Sequence, residues 1–295
     1  MVFPFILDYF KHYWVANTRH GTHSPFVYKL LDEVIYDFSK NKVYDLLENR
    51  RKYLLLDKRV IEVLDLGAGS QFDGEVRVNG GLKRKAVNIA SPVKRKAVKT
   101  IAKHSLKSPK LAQLLYRIVA NHQHASSISS SNDKDFTLVE LGTCLGLTTA
   151  YMAMARSSAK VYTIEGCPQT AAIAKENWNK ISETHGRAVS QIDLKIGNFD
   201  EQLPLLATQL SHIDILYVDG NHTEEATLRY FEWALEKVDE NSLIIFDDIY
   251  WSAGMKAAWE KIKAHPQVTV TIDFFWIGLV YFRKGQAKEH FKIRI

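Results

Sequence analysis

The sequence is poor in cysteine and in long apolar runs. Its 295 residues include only Cys144 and Cys167, so we predict neither a disulfide framework nor a Cys-x-x-Cys metal site, and we expect a cytoplasmic protein. No apolar run approaches the roughly 20 residues that cross a bilayer, which predicts no membrane partner. The apolar N-terminus lacks a basic leader and a small-residue cleavage site, and we interpret it as an amphipathic helix rather than a signal peptide.

Acidic residues are absent between Glu75 and Asp133, although the whole chain carries a net charge of only +6. We call the basic residues of this stretch the basic block, 77–117; they are Arg77, Lys83, Arg84, Lys85, Lys94, Arg95, Lys96, Lys99, Lys103, Lys107, Lys110 and Arg117. Such a block could bind nucleic acid or another polyanion. The alternative is a solvated basic face of a helix.

The serine-rich segment 124–135 is the best candidate for a domain boundary. Before it, apolar residues at helical spacing predict helices over residues 1 to about 60, and a short strand over 61–64 enters a glycine turn at 65–70. Two further helices are predicted at "VKRKAVKTIAKHS" and "SPKLAQLLYRIVANHQ". We therefore divide the chain into a mainly helical N-terminal region, 1–130, and a second domain, 131–295.

Apolar strands alternate strictly with helical segments from residue 136 onward, beginning with "FTLVEL" and "LTTAYMAMA". This alternation predicts an α/β fold of Rossmann-like type, with a parallel sheet covered by helices. The last segment, "VTVTIDFFWIGLVYFRK", predicts two strands joined by a short turn, so the final strand should be antiparallel. Ligands bind beyond the carboxyl ends of parallel strands, which is where we look for functional residues.

A glycine turn follows the first strand of this domain, in "VELGTCLGLTTAYMA". Glu140 ends the strand, and Gly142 and Gly146 flank a turn into a helix, where glycine lets the backbone approach a ligand closely. Glu165 ends the next strand 25 residues later, close to the spacing of a carboxylate that binds ribose hydroxyls. The spacing of the glycines does not meet the NAD-type pattern GxGxxG, which argues against a dehydrogenase.

Glu140-Leu-Gly142-Thr143-Cys144-Leu-Gly146 resembles the E/D-x-G-x-x-x-G motif of class I methyltransferases that use S-adenosylmethionine (SAM). The resemblance covers about 136–283 and implies SAM as cofactor. Glu165 matches the ribose-binding acid of that family, and Asn198 and Phe199 match the positions that lie against adenine. The resemblance implies these cofactor-binding residues: Glu140, Gly142, Thr143, Cys144, Gly146, Glu165, Asn198, Phe199 and Asp219.

The turn "VLDLGAGS" at 65–70 also resembles a methyltransferase glycine motif. No acidic strand end follows it, however, because the next acid after Glu75 is Asp133. We therefore place the cofactor at 140–146 and interpret 65–70 as a structural turn or as part of a substrate wall.

Two later strands of the predicted sheet end in acidic residues. The strand "IDILYVD" ends at Asp219 and is followed by His222, and the strand "SLIIFDD" ends at Asp247 and Asp248. The set resembles the catechol and sugar O-methyltransferase groups, although the catechol type usually has Asp-Asn at the second place. The resemblance implies Asp219, Asp247 and Asp248 as ligands of a divalent metal such as Mg²⁺, which would orient an acceptor hydroxyl. Helix capping or ion pairing is the alternative. We predict Asp219, His222 and Asp248 as catalytic, with His222 as general base.

The leading hypothesis is methyl transfer to a hydroxyl of a small molecule. An RNA methyltransferase that uses the basic block and a SAM-binding protein without activity are the alternatives, although no Asn-Pro-Pro-Tyr motif and no RNA-binding module is recognisable. Arg19, His20 and His23 precede a predicted helix start and are candidates for a lid over the acceptor. Aromatic residues near both termini would suit a homodimer interface.

Overall fold

The computed structural model describes residues 2–64, 93–122, 136–185, 189 and 191–295. The glycine turn at 65–70, the basic residues Arg77 and 83–85, and the serine-rich segment lie outside the described residues. Among the described helices, none is both long enough and apolar enough to cross a membrane.

The N-terminal region is mainly helical, as predicted, with one small hairpin. Helix α2 continues into a wider π-helical turn at Leu31–Ile35. The elements are α1 Val2–Val15, α2 Pro25–Leu30, α3 Lys42–Leu56, β1 Val60–Leu64, β2 Val93–Ala97, α4 Val98–Ser105 and α5 Pro109–Asn121.

The helix predicted over 93–105 is wrong in its first part. Residues Val93–Ala97 form strand β2, which pairs antiparallel with β1 in the register Glu62↔Arg95, and the helix begins only at Val98. Local sequence favoured a continuous helix, but pairing with β1 satisfies the backbone of both strands. Tertiary pairing overrides weak local propensity in this way.

The second part of the chain alternates strands and helices at the predicted positions. Its elements are β3 Thr137–Leu141, α6 Leu147–Ala155, β4 Lys160–Glu165, α7 Pro168–His185, β5 Ile192–Ile196, α8 Phe199–Ala207, β6 Ile215–Val218, α9 Glu224–Leu235, β7 Leu243–Asp247, α10 Ala253–Ala264, β8 Val270–Asp273, β9 Ile277–Tyr281 and β10 Glu289–Lys292. Every residue of β3, β6, β7 and β9 is buried. Strands covered by helices on both faces require such continuous apolar runs.

The strands form one sheet in the order β10-β8-β9-β7-β6-β3-β4-β5. β9 is antiparallel to both β7 and β8, and the other neighbours are parallel. The Rossmann-like fold with an antiparallel strand is therefore confirmed. Strand β10 was not predicted, because the segment "EHFK" has only four residues. Alternate residues are exposed, and the others are only partly buried.

The N-terminal helices pack into the same apolar core as the sheet. One continuous cluster joins Leu31, Leu47 and Leu115 from α2–α5 to Leu138 of β3 and Tyr151 of α6. Among the described residues, the two parts thus share a core. The domain boundary at 130 stays a prediction about sequence organisation, and the shared core means that the N-terminal region can carry side chains to the edge of the sheet.

Candidate functional site

The chain changes direction along the sheet between β3 and β6. From β3 it runs to β4 and β5 on one side, and it then returns to place β6 on the other side of β3. Loops at the carboxyl ends of two such strands diverge and leave a crevice, which is the usual ligand site of a doubly wound sheet. The turn after β3 and the loop after β6 contain Gly142 and Asp219.

The glycine turn after β3 needs its glycines for space and for conformation. Gly142 has a φ of +103°, and a Cβ there would lie 1.9 Å from the carbonyl oxygen of Asp219. Gly146 has a φ of +74°, and a Cβ there would lie 2.7 Å from the Trp178 Nε1, which donates to the Gly146 carbonyl. The turn therefore lies against the β6 loop on one side and against α7 on the other.

A buried asparagine fixes the turn as well. Asn177 is fully buried, and its Nδ2 donates to the carbonyl oxygen of Leu145 at 2.7 Å. Its Oδ1 accepts from Arg50 Nε of helix α3 at 2.8 Å. The role of Asn177 could not be predicted from the sequence, because a polar residue within a predicted amphipathic helix gives no sign that its neighbours will bury it.

Glu165 lies at the end of β4, as predicted, and contacts the glycine turn. Its Oε2 accepts from Cys144 N at 2.8 Å and its Oε1 from Cys167 N at 2.9 Å. Burial raises the pKa of the Glu165 carboxyl. Each carboxylate oxygen can accept a second hydrogen bond, so Glu165 retains acceptor capacity for ribose hydroxyls. Burial also raises the pKa of the Cys144 thiol to about 12, which keeps it protonated at neutral pH.

Glu140 lies beneath the turn in a network of threonine hydroxyls. It is fully buried, and its Oε2 accepts from Thr149 at 2.5 Å and from Thr163 at 2.6 Å. The Thr163 hydroxyl also lies 2.6 Å from the Thr143 hydroxyl. Burial raises the pKa of Glu140 to about 8. Its Oε1 has no hydrogen-bond partner among the described residues.

Asn198 and Phe199 follow β5, at the start of helix α8. The Asn198 Oδ1 accepts from Asp200 N at 2.9 Å and so caps the helix. The Phe199 ring fills the space beside Gly220, where a Cβ would lie 2.8 Å from the ring. The contact of both residues with adenine stays a prediction.

These features fit SAM as the bound cofactor. Gly142 and Gly146 allow the tight turn that a cofactor-binding loop requires, and Glu165 retains acceptor capacity at the end of the next strand. Of the predicted cofactor-binding residues, Thr143 lies below the turn in the hydroxyl network rather than at its surface. The roles of the set in binding the cofactor stay predictions.

The loop after β6 and the end of β7 form an acidic cluster, and a lysine from the N-terminal region lies inside it. Lys107 Nζ is 3.0 Å from Asp219 Oδ1 and also makes a close contact with Asp247 Oδ2. Burial alone would lower the pKa of Lys107, but the charges of Asp219 and Asp247 more than offset this and raise it. Burial likewise acts to raise the pKa of Asp219, and Lys107 overcomes it and holds that pKa below its usual range.

His222 and Asp248 complete the cluster. His222 Nε2 lies 3.7 Å from Asp219 Oδ1 and 3.8 Å from Asp248 Oδ2, so one imidazole faces both carboxylates. Asp248 has a φ of +53°, in the left-handed region that few residues other than glycine adopt. Asp247 is 2% exposed, whereas Asp248 is 32% exposed. Burial raises the pKa of both carboxyls.

The predicted metal site does not fit a divalent ion in this arrangement. Ligand atoms of Asp219, His222 and Asp247 lie within 4.8 Å of one another, which is close enough for shared coordination. The Lys107 ammonium, however, already contacts the same carboxylates of Asp219 and Asp247. A divalent ion bound at about 2.0–2.6 Å from these oxygens would lie against a like charge.

The predicted lid residues lie elsewhere. Arg19 pairs with Asp32 at 2.7 Å, and Ser24 accepts from Gln286 just before β10, so this segment follows the outer strand of the sheet. The homodimer stays a prediction. The aromatic residues near the N-terminus on which that prediction rests include Phe10 and Trp14 of helix α1, which are 55% and 81% exposed.

Comparisons with known proteins agree with this architecture. Residues 139–249 match the family model of a methyltransferase domain. An uncharacterised protein of Acanthamoeba polyphaga mimivirus is 31% identical over 140 residues, which is 45% of this chain and 62% of that protein's length.

The solved structures to which the chain is similar include two O-methyltransferases. The enzyme from Bacillus cereus in complex with S-adenosylhomocysteine (SAH) has a TM-score of 0.49 and 19% identity, over 62% of this chain and 88% of that one. TomG of Streptomyces achromogenes, which is involved in tomaymycin synthesis, has a TM-score of 0.49 and 17% identity, over 61% of this chain and 82% of that one.

The observed sheet order and the matched family model agree with the sequence-based prediction. Residues 139–249, which include the motif at 140–146, match a methyltransferase domain, and the sheet is that of a Rossmann-like fold. The N-terminal region before residue 139 lies outside the matched segment.

Proposed function

We propose that this protein transfers a methyl group from SAM to a hydroxyl of a small molecule. The observation that supports this proposal is the juxtaposition of the glycine turn with the acidic cluster. Gly142 packs directly against the backbone of Asp219, so a cofactor on the turn would end beside Asp219, His222 and Asp248. Proximity of this kind is the main requirement for an in-line displacement.

The residues of the cluster supply what a hydroxyl acceptor needs. Bound SAM would supply an electrophilic methyl on sulfonium. His222 accepts the proton of the acceptor hydroxyl at Nε2, and Asp219 and Asp248 stabilise the imidazolium that results. Asp248 is the more exposed of the two aspartates at the end of β7 and is therefore the one accessible to an acceptor, whereas Asp247 contacts Lys107. No covalent nucleophile is required.

Two measurements test the proposal. SAH binding is measured by calorimetry, and transfer of a labelled methyl group is then measured over a panel of hydroxylated small molecules. We expect saturable SAH binding and turnover that falls by at least about 10²-fold in His222→Gln, since general bases contribute about that much or more. Turnover unchanged in His222→Gln would contradict the assigned base, and SAH binding without turnover on any acceptor would favour a non-catalytic SAM-binding protein.

A second candidate function is methylation of RNA, and one observation favours it. Lys94, Arg95 and Lys96 are exposed on strand β2, so part of the basic block presents charge to solvent. Lys107 of the same block is instead largely covered, with its side chain 13% exposed, and Arg117 is buried and donates to the Val34 carbonyl. RNA binding that weakens steeply with salt would support this candidate, whereas no binding at low salt would exclude it.

A further inference from the structure

We infer that the Lys107 ammonium is the resident cation of the acceptor site, in the position that a divalent metal would otherwise take. The inference rests on the proposed function and assigns the site a metal-free mechanism. It concerns the one member of the acidic cluster that the N-terminal region supplies, and it explains how that region takes part in the site.

The contacts of Lys107 hold its ammonium group in one position between two carboxylates. Its Nζ lies 3.0 Å from each carboxylate oxygen of Asp219 and contacts Asp247 Oδ2. The Lys107 side chain is 13% exposed, and that of Asp247 is 2% exposed. Buried charges persist where they are paired, and here the pairing joins residues from three separate elements of the chain.

Two helices fix the backbone of Lys107. Val98 and Ile101 of helix α4 belong to the same buried apolar cluster as Leu145 of the glycine turn. Helix α5 begins directly after Ser108, whose Oγ accepts from Leu111 N, and it packs against α6. The connection between these helices is therefore held on both sides, and it carries Lys107 over the ends of β6 and β7.

An ammonium serves the acceptor differently from a metal ion. It offers three donors, of which Asp219 and Asp247 take two, and the third can be donated to an acceptor oxygen. A positive charge there stabilises the oxygen as its proton leaves for His222. One donor orients one oxygen, whereas a divalent ion with open positions can bind two neighbouring oxygens. The site thus suits acceptors with a single hydroxyl and does not require a vicinal diol.

Calorimetric titration of Mn²⁺, with and without SAH, tests the inference. The proteins are the wild type, Lys107→Met, and Lys110→Met as a matched control, since Lys110 is exposed three residues further on. We expect no saturable Mn²⁺ binding by the wild type or Lys110→Met. We expect Lys107→Met to gain saturable binding, because its carboxylates have lost their cation, and to lose it again when Asp247→Asn is added.

Either of two results overturns the inference. One is saturable Mn²⁺ binding by the wild type that Asp219→Asn abolishes. The other is a folded Lys107→Met that binds no Mn²⁺. If Lys107→Met does not fold, Lys107→Arg keeps the charge and should fold without binding Mn²⁺, and the wild-type titration still decides. SAH binding is read in the same samples, so a protein that takes up no SAH contradicts the proposed function without affecting the Mn²⁺ comparison.

Discussion

Asn177 of helix α7 donates its side-chain N–H to the carbonyl oxygen of Leu145 at 2.7 Å, and this bond ties the helix to the glycine turn. Removing the amide leaves a buried carbonyl and Arg50 without their partner. We expect Asn177→Ala to lower the free energy of unfolding by about 1–3 kcal/mol, the usual cost of such buried groups. We also expect SAH affinity to fall severalfold in calorimetry, because the turn loses a fixed point.

Asn179 provides the control for this change. It lies two residues further along the same helix and is exposed. Asn179→Ala should leave both the unfolding free energy and SAH affinity close to wild type. Equal behaviour of the two variants would show that Asn177 does not hold the turn.

Gly142 and Gly285 separate the effect of space from that of backbone conformation. Both have positive φ, +103° and +71°, but a Cβ at Gly142 would meet the Asp219 carbonyl at 1.9 Å, whereas one at Gly285 has no neighbour within 4 Å. We expect Gly285→Ala to cost about 1–2 kcal/mol from its left-handed φ alone. Gly142→Ala should cost clearly more in chemical denaturation and should abolish SAH binding; equal costs would refute the close approach.

Glu140 should make stability fall as pH rises. Its pKa is about 8 in the folded protein against 4.5 as the ordinary value, because burial disfavours the charged form. Between these values the folded state keeps a proton that the unfolded state has lost. The slope is therefore negative, at most about 1.4 kcal/mol per pH unit.

Glu140→Gln should remove this contribution, because glutamine does not titrate and can still accept from Thr149 and Thr163. We expect the variant to gain stability relative to wild type as pH rises from about 4.5 to about 8, measured by urea unfolding at several pH values. A difference in stability that does not change with pH would show that Glu140 is ionised in the fold.

Glu165 should determine affinity for the ribose. Its carboxylate is held by Cys144 N and Cys167 N and retains acceptor capacity toward the crevice. Hydrogen bonds to a charged group contribute about 1.5–3 kcal/mol, so we expect Glu165→Gln to weaken SAH binding by roughly 10-fold or more. Glu183→Gln is the matched control, since Glu183 lies on α7, the helix that follows β4, and its side chain is 63% exposed. Unchanged affinity in Glu165→Gln would remove Glu165 from the cofactor site.

Much of the sheet could be predicted from the sequence because its signal is local. The strand at "KVYTIE" is observed at Lys160–Glu165, and the final pair of strands lies where the apolar runs predict. The misassigned segment, 93–97, pairs with a partner more than 25 residues earlier in the chain, and no local pattern reveals such a pairing. Strand β10 could not be predicted for a similar reason, since its backbone pairs with β8 and no local pattern indicates that pairing.

The candidate site, too, could be predicted from the sequence only in part. The acids at 140, 165, 219, 247 and 248 lie at or just after the carboxyl ends of strands, and these ends meet at one edge of a parallel sheet, so their sequence positions were enough to group them. Lys107 was visible only as one of many basic residues between Glu75 and Asp133. Nothing in its neighbourhood distinguishes it from Lys110, which is exposed.

By itself, the sequence determined the alternation of strands and helices, the glycine turn and the order of the strand-end acids, because periodicity and turn chemistry act over a few residues. Only the tertiary structure decided which cation those acids hold and which amide fixes the turn. The first depends on the packing of the α4–α5 connection against the sheet, where Lys107 and Asp219 lie 112 positions apart. The second depends on the packing of α3 and α7 around the turn, where Arg50 and Asn177 lie 127 positions apart. Burial then sets the charge state of each group, and burial is a property of the folded chain.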